Sequence, residues 1–303
     1  MNQQRSFLDD LKYQFKYGGA TLRLIYINVA VFLLIHLGLV FGRLAGNEAS
    51  AATYIGKIFA LDTRFSEFIY HPWGLITSIF AHFSLWHIFL NLVFLYFSGR
   101  IFEQLFDQKR LIYTYLLGGI AGGLFELLAN TLLPGLQAGS SVIVGASGSI
   151  MAIFFAIAFH QPKMTVNLFG IIPVRIIILA GIFFLSDFLN LGTADGTAHF
   201  AHMGGAILGI ISIQNPYSSS NVINAVQRLG DSIIKFFSTG GSRKRMKVVT
   251  KNNTRHQSDE EYNKQKKDKQ AEIDRILDKI SKSGYDSLTR QEKDFLFNQS
   301  KNG

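Results

Sequence analysis

The chain has 303 residues, is 48% apolar, carries 27 phenylalanines and a formal charge of +9, and contains no cysteine. It can bury a large core, but a disulfide-built secreted scaffold and a thiolate metal site are both excluded. The mean hydropathy of +0.21 conceals two compositions, because residues 22–215 are apolar with sparse charge while residues 216–303 hold 18 of the 30 Lys and Arg residues.

After a short polar segment at 1–21, six apolar stretches lie at 22–42, 84–106, 110–133, 142–160, 172–190 and 198–214. Each approaches the roughly 20 helical residues needed to cross a hydrocarbon core about 30 Å thick. The prediction is an all-α polytopic membrane protein, with a six-transmembrane-helix bundle over 22–215 embedded in a lipid bilayer. The sixth stretch is the shortest and contains two histidines. Alternate connections carry Arg5, Lys12, Lys16 and Arg23, then Arg100, Lys109 and Arg110, then Lys163 and Arg175, then the basic tail. The intervening ones hold only Arg43, Lys57 and Arg64, balanced by Glu48, Asp62 and Glu67. By the positive-inside rule both termini are cytoplasmic, and a bacterial cytoplasmic membrane is the expected location. Ala49-Ser50-Ala51 resembles a signal cleavage site, yet the apolar run before it is about 18–20 residues against the 7–15 of a signal core. An uncleaved anchor is expected.

The connection between the first two spans includes FALDTRFSEFIYHPWGLITSIFAHF. Its length, roughly 40 residues, marks it as functional rather than passive, and its aromatics suit partial immersion at the membrane interface. Beyond the sixth span, residues 216–271 read as an amphipathic or disordered linker, with SSSNVINAVQRLGDSIIKFFSTGG as a helix against the inner leaflet. The basic GSRKRMKVVTKNNTRHQ that follows is a solvated linker or a segment attracted to anionic lipid at about 1 kcal/mol per cation. No nucleic-acid partner is expected, since no groove-fitting motif accompanies the charge. Residues 272–303 predict a small helical hairpin: Ile273, Ile276, Leu277 and Ile280 recur at helical spacing, Gly284 stops the first helix, and Ser287 with Thr289 caps a second bearing Phe295 and Leu296. Such a hairpin is too small to fold alone.

Polar side chains inside a membrane are costly and mark function by default. His82, His87 and Asn91 open span two, Ser147 opens span four, and His199 and His202 open span six, all toward the outer ends. His87 and Asn91 are one turn apart on one face, and both can donate hydrogen bonds. His202, Gly205 and Gly209 also share a face, which can closely approach Gly145, Ala146, Gly148 and Ala152 of span four. That approach would bring an imidazole base to the Ser147 hydroxyl, with the Ser147 amide, His87 and Asn91 as donors to an oxyanion. His199 and His202 share a face, so spacing does not choose between them. Asp187 and Glu126 are intramembrane carboxylates that nothing in the sequence sets beside His202; a Ser-His dyad oriented by packing is expected.

HFSLWHIFLN at 82–91, GASG at 145–148 and AHMGGAILG at 201–209 resemble, in this order, the motifs of the rhomboid intramembrane serine proteases. The likeness runs over roughly residues 22–214. It implies a bacterial-type six-helix fold with an added C-terminal tail, and cleavage of transmembrane protein substrates within or near their membrane segment. It places the nucleophile at Ser147, the base at His202 and the oxyanion donors at His87 and Asn91, with His199, His82 and Glu103 as structural supports. It implies neither a cofactor nor a metal. The chain has Trp73-Gly74 where many members have a Trp-Arg pair. Two other classes compete: a catalytically inactive rhomboid-like protein that binds membrane clients, and a metal transporter using His82, His87, His199 and His202. The second leaves Gly145–Gly148 without a purpose.

Overall fold

The structure, a computed structural model, describes residues 7–133, 135, 142–168, 170–193, 195–238 and 259–300, which fall into two compact units, Met1–Gly240 and Gly241–Gly303. In the first unit α1 (Phe7–Tyr17) leads into α2 (Gly19–Leu44) through Gly19, whose φ of 88° favours glycine. A helical excursion follows, with α3 (Glu48–Phe59), the two-residue strand β1 (Leu61–Asp62), α4 (Phe65–Phe68) and α5 (Gly74–Thr77). The bundle continues with α6 (Leu85–Leu105), α7 (Gln108–Leu132), β2 (Val142–Ile143), α8 (Ser147–His160), β3 (Thr165–Leu168), β4 (Ile172–Arg175), α9 (Ile176–Leu189) and α10 (His199–Ser212).

An apolar helix with no polar face belongs at the centre of a bundle, and α8 sits there: every residue from Gly148 to Ala158 is buried. It packs against α6, α7, α9 and α10. Small residues bring these backbones together. A Cβ at Gly118 would overlap that of Ala152, and one at Gly205 or Gly209 would overlap the backbone carbonyl of Gly148 or Ala152. The rim is apolar as well, with Leu33, Leu37 and Phe41 of α2, Phe89, Leu90 and Phe97 of α6, and Ile178, Ile182, Leu185 and Leu189 of α9 all exposed. Surface of this kind suits lipid rather than water. This is an all-α polytopic membrane bundle.

Helices α2, α6 and α7, of 26, 21 and 25 residues, are long and apolar enough to cross a membrane, whereas the apolar α8, α9 and α10 have 14 residues each. The fourth and fifth predicted spans therefore start too early. Val142 and Ile143 form β2, which pairs antiparallel with β1 (Leu61↔Ile143, Asp62↔Val142), and residues 172–175 form the second arm of the β3–β4 hairpin. β-branched residues favour extended backbone, and Pro173 has no N–H for a helix interior.

The first long connection is ordered by its own polar groups. Trp73 Nε1 donates to the Lys57 carbonyl at 3.0 Å, and Thr77 Oγ1 to that of Ile58 at 2.7 Å. A Cβ at Gly74 would lie 2.5 Å from the Ala60 carbonyl oxygen, so the glycine beside Trp73 is required by the close approach of the β1 corner. At the opposite end of α7, α11 (Val222–Ser238) is fixed by Lys109 Nζ to Asp231 Oδ1 at 2.6 Å and by buried Arg110, which donates to the Pro216 and Ser212 carbonyls and to Asn221 and Asn224 Oδ1. The helix expected in this stretch is present, and it is tied to the bundle through Lys109 and Arg110 at the start of α7. The basic run at 241–257 lies outside the described residues.

In the second unit α12 (Asp259–Ser283) begins well before residue 272, because EEYNKQKKDKQ is rich in helix formers but lacks an apolar period. Gly284, at φ 77°, ends it, and α13 (Arg290–Ser300) follows. Thr289 and Glu292 form a reciprocal capping box: Thr289 N donates to Glu292 Oε2 at 2.7 Å and Glu292 N to Thr289 Oγ1 at 3.4 Å. Lys279 Nζ joins the two helices through Glu292 Oε2 at 2.9 Å.

Candidate active site

Ser147 begins α8 immediately after a turn that only glycine can make. Gly145 has a φ of 127°, and a Cβ there would sit 2.8 Å from the His87 ring. The turn is tied down on both sides: Gly145 N donates to the Ser78 carbonyl at 2.9 Å, and Ala146 N to Nε2 of fully buried His82 at 3.3 Å. The β1–β2 pair fixes the strand just upstream. Ser147 itself is half-buried, and its N–H lies in the first helical turn, where donors lack intrahelical acceptors.

His87 and Asn91 stand one turn apart on α6. The His87 ring lies against Gly145 and 4.9 Å from the His82 ring, while Asn91 Nδ2 donates to the His87 carbonyl at 2.8 Å. An amide nitrogen carries two hydrogens, so Asn91 retains a second donor.

The opening turn of α10 is gripped from two helices. Glu126 of α7 accepts the Ala201 N–H at 3.0 Å through Oε2 and Asn130 Nδ2 at 3.1 Å through Oε1. Asp187 of α9 places Oδ1 2.8 Å from His199 Nδ1 and 2.9 Å from His202 Nδ1, and His199 Nε2 lies 3.2 Å from Asp195 Oδ2. Both intramembrane carboxylates thus meet the α10 turn, and Asp187 touches the imidazole that the sequence left without a partner. The warning sign was a single acid in an otherwise apolar helix.

Backbone contact brings the two turns together. A Cβ at Gly148 would lie 3.2 Å from the Ala201 carbonyl oxygen, and Gly205 abuts Gly148. Ser147 and His202 therefore flank the tightest helix contact in this part of the bundle. Among the described residues no hydrogen bond joins Ser147 Oγ to His202 or to Asn91. The four histidines do not form one cluster: His82 and His87 belong to the serine turn, His199 and His202 to Asp187.

Residues 70–214 match the family model described as Rhomboid domain, and residues 257–302 match a family of unknown function (DUF6576). Over 152 residues the chain is 32% identical to RHOMBOID-like protein 12, mitochondrial, of Arabidopsis thaliana, covering 46% of this chain and 44% of that protein. It is 26% identical over 189 residues to Rhomboid-like protease 3 of Toxoplasma gondii, covering 62% and 66%. It is 31% identical over 122 residues to Inactive RHOMBOID-like protein 8 of Arabidopsis thaliana, covering 40% and 34%. The chain thus spans between a third and two thirds of the length of these relatives. The matched stretch, residues 70–214, opens in the connection ahead of α6, closes just beyond α10 and takes in every candidate site residue; it is this part of the chain that matches the rhomboid domain.

Proposed function

We propose that the protein is an intramembrane serine endopeptidase that cuts transmembrane proteins within or near their membrane segment. The observation that carries this reading is the contact of the Ser147–Gly148 end of α8 with the Ala201–Gly205 turn of α10 inside an apolar bundle. His202 takes the proton from Ser147 Oγ as the oxygen attacks the scissile carbonyl carbon. The oxyanion of the tetrahedral intermediate is met by the Ser147 N–H, His87 and Asn91. Its collapse breaks the C–N bond, and His202 returns the proton to the departing amine. Water then hydrolyses the Ser147 ester by the same route in reverse order.

The distribution of Lys and Arg supports cytoplasmic termini, which sets the Ser147 turn toward the opposite face. A membrane substrate must present unwound backbone there, so small or helix-destabilising residues are expected at the cut. The rival reading, a client-binding protein without activity, draws on the relative named inactive.

The test is cleavage of a fluorescent transmembrane peptide library by purified protein in detergent, with Ser147→Ala and His202→Ala checked for folding. Both variants are expected to lose cleavage by about 10³-fold or more, with no effect of chelator. Folded variants that cleave as well as wild type overturn the assignment. A wild type that neither cleaves nor labels at Ser147 with a fluorophosphonate favours the binding protein.

A further inference from the structure

We infer that Asp187 is the positioning residue for His202, making the reacting unit Ser147–His202–Asp187 rather than a dyad; this rests on the proposed endopeptidase reading. Asp187 is the only charged residue of α9, whose sequence is IIILAGIFFLSDFL, and it is 8% exposed. A carboxylate in such a helix is costly unless its oxygens are used. Here one oxygen is used twice. Oδ1 lies 2.9 Å from His202 Nδ1 and 2.8 Å from His199 Nδ1.

The chemistry of the pair fixes the direction of the bond. An ionised carboxylate only accepts, so Nδ1 of His202 is the donor, and in a neutral imidazole the lone pair then resides on Nε2. That is the tautomer a general base needs if Nε2 is to receive the Ser147 proton. Once the proton arrives, the adjacent carboxylate faces a cation, and the imidazolium is stabilised where it forms. Nothing is transferred to Asp187: its role is to hold one tautomer and one ring orientation.

His199 explains how Asp187 is itself held. Its Nδ1 binds the same Oδ1 and its Nε2 reaches Asp195 Oδ2 at 3.2 Å, so the ring strings the end of α9 to the loop ahead of α10. The three groups are also of metal-ligating types. Ligands about 2.0–2.1 Å from a tetrahedral zinc stand roughly 3.3 Å apart, whereas the N···O separations here, 2.8 and 2.9 Å, are those of direct hydrogen bonds.

The experiment compares wild type, Asp187→Asn, Asp187→Glu, His199→Ala and Ser147→Ala in detergent, reading kcat and KM on one cleaved peptide, the rate of Ser147 labelling by a fluorophosphonate, and the thermal midpoint. Asp187→Asn is expected to lower kcat by about 10²–10⁴-fold with KM little changed, and to slow labelling in parallel, with Asp187→Glu recovering part of both. His199→Ala is expected to lower the midpoint while holding kcat within about tenfold of wild type. An Asp187→Asn protein that folds, cleaves and labels like wild type overturns the inference and reduces Asp187 to a tie between α9 and α10. So does loss of cleavage on chelation. Should Asp187 variants misfold, nitrogen-15 histidine spectra of the wild type provide a second reading: His202 protonated at Nδ1 is expected, and an Nε2–H tautomer overturns the inference. Retention of cleavage in Ser147→Ala instead removes the endopeptidase reading itself, a failure distinct from the others.

Discussion

Glu126 and Glu292 perform the same task at two helix starts, in opposite surroundings. In the bundle Glu126 accepts an N–H at the start of α10, as Glu103 does for α2, where Ala20 N and Thr21 Oγ1 donate to its carboxylate at 2.6 and 2.8 Å. In the second unit Glu292 accepts the Thr289 N–H at the exposed start of α13. Water can replace Glu292. It cannot readily replace Glu126, which is 6% exposed and surrounded by apolar helix. A capping carboxylate is therefore a convenience at a wet helix start and a structural requirement at a dry one.

Whether packing or the carboxylate holds α10 is decided first at Gly205. Gly205→Val would drive a side chain into the Gly148 carbonyl, and loss of the folded species in detergent is expected by size-exclusion chromatography. A folded, active variant would mean that α10 tolerates displacement and that Glu126 alone sets its start. Next in size, Glu126→Ala leaves the Ala201 N–H buried without a partner, at a cost of about 1–3 kcal/mol. A lower thermal midpoint with reduced kcat is expected, because the loosened turn carries His202. Thr289→Ala should have the smallest effect, about 1 kcal/mol of helix stability, visible as faster amide exchange in α13 with cleavage unchanged.

Acid sharpens the same contrast. The Thr289 backbone N–H, followed by Lys279, holds the Glu292 carboxyl down at about 2 against an ordinary value of 4.5. A depressed carboxyl stabilises the fold above its unfolded value and ceases to do so as the pH falls toward the folded one. Amide protection in α13 is therefore expected to hold above about pH 4.5 and decline between there and pH 2. Protection that is flat across that window would remove Glu292 from the account.

Long-period features were legible in the sequence. Each of the six apolar stretches contains one helix, because long apolar runs leave few alternatives; Ser147 opens α8 because glycine punctuates a run that would otherwise continue; Gly284 and Thr289 bound the tail helices through local rules. What escaped depends on contacts between distant residues. β1 and β2 are two residues each, too short for any alternation to register, and Val142-Ile143 reads equally well as helix or strand. The Asp187–His202 bond spans 15 residues and a loop, and hangs on how α9 is rotated about its axis, which an almost uniformly apolar helix does not disclose.

The lengths of α9 and α10 have a consequence for the surrounding lipid. At 14 residues each they rise about 21 Å, against a hydrocarbon core of about 30 Å. Both present apolar side chains outward, Ile182 and Leu185 from one and Ile207 and Ile211 from the other. Acyl chains on that flank must shorten their reach to match, at fractions of a kcal/mol per Å of mismatch, whereas the 26-residue α2 makes no such demand. A bilayer that matched both flanks would be thinner beside α9 and α10 than beside α2, and shorter acyl chains would suit that side better.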